Sequence, residues 1–178
     1  MKKILILLLF VTTHLTFAQK YLTRTGTTNF KASVETFEAV EAINKSTTVI
    51  LKANTGDIAA QLFVTAFKFK VALMQEHFNE NYMDTDKYPK ATFRGKLKDF
   101  DINLPKEEYE LSGTLTIRGK KKDIKTTARL IKNNEKLILT SGFNVKPKDF
   151  DIKIPSIVRN KIAKSINITL SYELVEKK

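Results

Sequence analysis

One histidine stands among carboxylates. In the stretch VALMQEHFNENYMDTDKYPKATF (71–93), His77 is surrounded by Glu76, Glu80, Asp84 and Asp86. His77 and Glu80 are three residues apart and so are neighbours on a helix surface. An imidazole beside carboxylates is raw material for a metal site or a hydrolytic centre, but the spacing fits neither. A zinc protease needs His-Glu-x-x-His so that two imidazoles face one metal. The only other histidine is His14, at the N-terminus. Asp84 and Asp86 do not open a calcium loop, because no glycine and distal glutamate follow at the required spacing. The alternative is a surface or interfacial His77 with Glu80 as a solvated neighbour. No serine sits in a Gly-x-Ser-x-Gly elbow, no carboxylate pair stands in the apolar setting of a glycosidase, and no glycine-rich phosphate cradle is present. Phe67-Lys68-Phe69-Lys70 interleaves rings and cations as single-strand binders do. The same order is also that of a strand with rings inward and lysines outward. No catalytic residue, metal or cofactor is therefore expected.

The elements around this stretch read mostly as strands. In 109–118, Tyr109, Leu111, Gly113, Leu115 and Ile117 share one face, and Glu110, Ser112, Thr114, Thr116 and Arg118 the other. In 165–174, Ile166, Ile168, Leu170, Tyr172 and Leu174 alternate with polar residues in the same way. A period of two implies one wet face and one buried face. Further strands are expected over 21–25, 28–34, 46–53, 57–69, 91–102, 123–131 and 137–145. Turns are expected at 54–57, at Pro105 and Lys106, and at Asn133 and Asn134. Gly119 is expected to end a strand and open a lysine-rich link over 120–122. Strands joined by short loops must be antiparallel. With one apolar face they form a sandwich or a closed barrel, and closure removes the exposed edges. A small barrel is plugged by its own side chains or holds one apolar ligand. Gly95, between Phe93 and Leu97 on one face, either leaves room for a cavity or marks a bend. The helix is expected over about 71–82, with Val71, Met74, Phe78 and Tyr82 as its apolar stripe and Leu73 beside it. Pro89 stops its continuation. It lies across one open end as a lid or a cork.

The 178 residues suit one domain with a sizeable core. Residues 1–18 run from Lys2 and Lys3 through the apolar run 4–11 to Ala18, the order of a signal peptide cut before Gln19. That run falls short of the about 20 apolar residues a spanning helix needs. The expected organisation is a leader over 1–18 and a single soluble domain over 19–178, in the periplasm or secreted. Without cysteine there are no disulfides, thiolate metal sites or cysteine nucleophiles. The net charge of +12 is strongly basic. Nucleic acid is the usual partner of such a charge, but an exported protein rarely meets it. An anionic lipid surface or acidic envelope polymer is the expected partner, against the alternative of a solvated face tuned for solubility.

Several motifs carry a resemblance. They are Met74-Gln75-Glu76-His77-Phe78-Asn79-Glu80-Asn81-Tyr82, Lys87-Tyr88-Pro89-Lys90-Ala91-Thr92-Phe93-Arg94-Gly95, Tyr109 to Gly119 (YELSGTLTIRG), Asp149-Phe150-Asp151-Ile152 and the early Asn54-Thr55-Gly56. With them the chain resembles the YceI-like family of exported, polyisoprenoid-binding, lipocalin-like proteins. It departs from that family's best-known branch in the opening strand, which lacks the aspartate and the His-Ser pair, and in Lys120-Lys121-Lys122 after Gly119. The resemblance implies an all-β, antiparallel, eight-stranded lipocalin-like barrel. It also implies a long apolar pocket for an isoprenoid lipid, a quinone or another long-chain apolar ligand. The alternation, not a known family site, supplies the candidate ligand-binding residues: Phe67, Phe69, Met74, Phe78, Phe93, Leu97, Leu111, Leu115, Ile117, Phe143, Ile168 and Leu170. The expected function is that of a binder or carrier, not an enzyme. The alternatives are an envelope interaction module with a basic surface and a hydrolase using His77 and Glu80. Peripheral contact with an anionic membrane and a homodimer are expected partner states, and nucleic acid is not.

Overall fold

The computed structural model describes residues 19–33 and 39–177. The expected leader over 1–18 lies outside the described residues, as does Val34, the last residue of the second expected strand. Among the described residues there are nine strands: β1 (Lys20–Ser33), β2 (Glu41–Lys52), β3 (Asp57–Phe63), β4 (Lys68–Phe69), β5 (Lys90–Leu97), β6 (Glu108–Ile117), β7 (Lys120–Asn133), β8 (Lys136–Val145) and β9 (Ile162–Lys177). All their pairings are antiparallel. Leaving out β4, the strands follow one another around the barrel in chain order, and β9 returns to pair with β1. The fold is thus a closed eight-stranded barrel, not a sandwich, with β4 added on β2. The period of two holds: Ile166, Tyr172 and Leu174 are buried, while Ser165, Asn167, Thr169, Ser171 and Glu173 are exposed.

Local differences from the sequence expectation have identifiable causes. The two expected opening strands are one, β1, whose register shifts on either side of Gly26. A Cβ on Gly26 would lie 2.6 Å from the Tyr172 ring and 2.9 Å from the Thr47 carbonyl oxygen, so only glycine lets β1 close on both neighbours. The expected strand over 57–69 breaks after Phe63. There the buried Asn44 amide donates to the Phe63 carbonyl (3.0 Å), and a 3-10 turn, Val64–Ala66, leads to β4. The strand expected to reach residue 102 ends at Leu97, because Asp99 takes a positive φ of 54° and turns the chain inward. The lysines at 120–122 are not a link. Arg118 (φ 47°) and Gly119 (φ 71°) form a two-residue turn with both φ positive, the kind that matches strand twist. Lys120 therefore pairs directly with Ile117.

The interior has two storeys. The lower is solid: Val49, Leu51, Leu97, Leu137, Leu174 and Ala128 are inaccessible to solvent. Phe100 and Ile102, from the loop after β5, pack against this core, and the Phe100 ring meets Tyr109 at 5.4 Å. The upper storey is walled by Phe30, Leu62, Phe67, Leu115, Phe150 and Ile166. Gly95 and Gly113 face each other across β5 and β6. Their missing side chains make neither a bend nor a void. A Cβ on Gly95 would strike the Ser112 carbonyl and one on Gly113 the Arg94 carbonyl, and the Phe93 ring lies within 2.7 Å of both positions. Where β9, β1 and β2 meet, the Thr28 hydroxyl lies 2.9 Å from that of Thr47 and 3.1 Å from that of Tyr172. Burial pushes the Tyr172 phenol up to about 12.

Two outcomes are expected. Gly113→Ala should destabilise by about 2 kcal/mol through overpacking. In a double-mutant cycle read by urea melts, Phe93→Ala should recover only a small part of that cost, because the Arg94 carbonyl and the Gly95 backbone still meet the added methyl. The Tyr172 phenol binds its proton more tightly folded than unfolded. Its contribution is therefore complete below pH 10 and falls as the pH rises towards 12, by about 3 kcal/mol in all. Tyr172→Phe should cost about 1 kcal/mol at neutral pH and should lack that alkaline decline. Melts across the alkaline range compare the two.

Candidate ligand-binding cavity

The upper storey encloses a cavity of about 460 Å³, within the usual size range of small-molecule sites. Phe67, Phe69, Met74, Phe78, Phe93, Leu111, Leu115, Ile117, Phe143, Ile168 and Leu170, all expected from the alternation, line it. Leu97 does not. It points inward as expected but sits in the solid lower storey. Alternation fixes which side of the wall a residue faces, not its height along the barrel. The sequence expectation also omitted Phe30 and Ala32 of β1, Ile58, Ala60 and Leu62 of β3, and Phe150, Ile152, Ile154 and Val158 after β8. The β1 and β3 residues had the same period-two signal. Those after β8 had none, because that segment is irregular.

The roof is the helix α1 (Ala72–His77), which runs on into a single wide π-turn, Phe78–Met83. The wide turn puts Phe78 and Met83, five residues apart, on one inward face. Met83 is buried, whereas Val71 and Leu73, expected in or beside the buried stripe, are exposed. A single π-turn of this kind commonly marks a functional position. Asp84, in the left-handed region (φ 51°), ends it. Below the helix, Phe30, Phe67, Phe69 and Phe78 form one ring cluster. Phe78 stacks on Phe30 at 5.3 Å and meets Phe69 at 5.0 Å and Phe67 at 5.9 Å. Each such pair contributes about 0.5–1.5 kcal/mol beyond simple burial. The helix is thus a lid clamped by rings over a hollow, not a cork filling it.

Polar groups inside are few and mostly engaged. The Thr28, Thr47 and Tyr172 hydroxyls bond one another, and Thr126 donates to the Gly142 carbonyl. A guest in this space therefore meets chiefly aliphatic and aromatic surface. His77 and Lys161 also line the cavity, and both are exposed. Among the described residues no three His, Asp or Glu side chains gather as a metal site.

The rim joins motifs that are far apart in sequence. The Arg118 guanidinium stands 5.7 Å from the Tyr88 ring centre and donates to the Asp151 carbonyl (2.6 Å). Gly119 leaves room for the same ring, since a Cβ there would sit 3.2 Å from it. The Lys120 ammonium bonds the Asp151 carboxyl at 2.8 Å and holds it below the usual carboxylate range. Lys122 reaches Asp149 at 3.6 Å, and Phe150 between the two carboxylates is buried.

The YceI-like domain model matches residues 9–174. No curated protein sequence matches the chain. Among solved structures, a polyisoprenoid binding domain from Saccharophagus degradans, implicated in plant cell wall breakdown, is similar with a TM-score of 0.75 and 14% identity, covering 89% of this chain and 98% of that one. BcnA of Burkholderia cenocepacia is similar at 0.71 and 16%, covering 84% and 96%. The YCEI protein of Campylobacter jejuni is similar at 0.65 and 20%, covering 80% and 88%. At these identities the structures share the barrel. The family model spans the chain almost end to end, and with the hollow upper storey, the lid helix and the motifs joined at the rim, this chain belongs to the YceI-like family.

Proposed function

We propose that the chain is an exported binder or carrier of a long apolar amphiphile, an isoprenoid lipid or a quinone, and that it performs no catalysis. One observation carries this reading: the barrel keeps a cavity of about 460 Å³ under an aromatic lid, lined almost throughout by apolar side chains. Each CH2 moved from water into such a space contributes about 0.8 kcal/mol. A prenyl chain can therefore bind firmly with little polar recognition, and discrimination between head groups is weak. The similar Saccharophagus degradans domain, described as polyisoprenoid-binding, supports the same reading. Export rests on the charged and apolar order of residues 1–18.

Native mass spectrometry after gentle purification, followed by solvent extraction of the same sample, is the direct test. A persistent extra mass that extracts as a prenyl lipid or quinone supports carriage. A bare chain that also fails to take up added farnesol or ubiquinone would replace this reading with that of an interaction module. Ala60→Phe should fill part of the cavity and weaken uptake of N-phenylnaphthylamine about tenfold, which corresponds to about two fewer buried CH2 groups, while the chain still melts cooperatively. Leu115→Arg, which puts a charge in the wall, should abolish uptake.

A further inference from the structure

The register places the ends of β1, β3, β6 and β8 and the starts of β2, β5, β7 and β9 at one end of the barrel, around the cavity and its lid. Large apolar side chains there face solvent instead of the cavity: Ile157 is 84% exposed, Leu73 on α1 56%, Phe63 at the end of β3 50% and Val71 before α1 37%. Ile157 belongs to the 3-10 turn Ser156–Val158, between two residues, Ile154 and Val158, that line the cavity. The segment 146–164 that carries it is strongly basic. Lys146, Lys148, Lys153, Arg159, Lys161 and Lys164 are all exposed, and the only acids in the segment are Asp149 and Asp151. Both carboxylates are already paired with lysines from outside it, Lys122 and Lys120. The lid contributes Glu76 and Glu80 beside Leu73, so the positive field is centred on Ile157.

The opposite end makes the contrast. Leu104 is 77% exposed there, but its loop carries Asp99, Asp101, Glu107 and Glu108 against Lys98 and Lys106. Similar apolar exposure thus stands in a basic segment at the mouth and in an acid-rich loop at the other end. No helix among the described residues is long and apolar enough to cross a membrane.

We propose that this rim docks on an anionic phospholipid bilayer with the cavity mouth facing the membrane. Ile157 enters the headgroup layer, and the basic side chains of 146–164 lie against the lipid phosphates. An apolar side chain combined with basic residues is what interfacial binding needs, and each basic residue near such a surface strengthens partition about fivefold. The docking does not depend on the cavity's cargo, because Ile157 and the basic residues of 146–164, Lys161 apart, do not line the hollow.

The chain has no tryptophan, so a single introduced indole reports its own surroundings. With the chain from Gln19 onward, which carries the whole barrel, Ile157→Trp fluorescence should shift to the blue on adding phosphatidylcholine vesicles that contain phosphatidylglycerol. It should stay unchanged with pure phosphatidylcholine, and Leu104→Trp should stay unchanged with both. In sedimentation with the same vesicles, Lys153→Glu with Arg159→Glu should lower partition by more than about tenfold, and added salt should do likewise. Circular dichroism melts establish that each variant is folded. Absence of phosphatidylglycerol-dependent binding by the unsubstituted chain, an equal shift at Leu104→Trp, or a shift at Ile157→Trp with heparin but not with vesicles would overturn the proposal.

Discussion

The interior depends on β1 pairing with β2 on one side and β9 on the other along most of its length. Without that double pairing the sheet has two free edges and no inside. The seam is tight because Gly26 lets the Tyr172 ring and the Thr47 carbonyl approach the β1 backbone more closely than any side chain would allow. Just above, the Thr28, Thr47 and Tyr172 hydroxyls link three strands in a dry place where an unpaired hydroxyl would be costly. The seam also lies at the boundary between the storeys: Tyr172 packs in the solid core and lines the hollow.

A hollow inside a small protein is unusual, since interiors are generally close-packed. Here the lower storey supplies dense leucine packing and leaves the upper one free to be shaped by a few large rings. Phe93 lies over the glycines of β5 and β6, and Phe30, Phe67, Phe69 and Phe78 brace one another beneath the lid. Stiff aromatic side chains that support each other can keep a space open in a way that flexible aliphatic ones cannot. The π-turn does the same for the lid, bringing both Phe78 and Met83 inward from a short segment.

The rim segment and the loop after β5 differ in charge. Carboxylates on the rim segment are taken up by lysines of the β6–β7 hairpin, so cations in excess remain around the mouth, while the far loop is acid-rich. Parts of the motifs that carry the family resemblance meet at this rim. Tyr88, Arg118, Gly119 and Asp151 hold one another and fix the backbone around the opening.

Much of this was legible in the order of residues. Period-two alternation is a local property of an extended chain, so Leu115, Ile117, Ile168 and Leu170 could be assigned to the inward face without coordinates, and the spacing of Met74 and Phe78 announced a helix. Positive φ at Gly56 followed from turn chemistry. Height along the barrel did not, because it depends on stagger between strands that meet only after closure. That is why Leu97 belongs to the plug and not to the cavity wall. Nor did the phase of the lid helix, which one wide turn shifts from Val71 to Met83, or the identity of what fills the space over Gly95 and Gly113. Local sequence sets which way each side chain points. The level at which it sits, and whether the space in front of it stays empty, are set by partners distant in the chain, and those distances exist only once the sheet has closed.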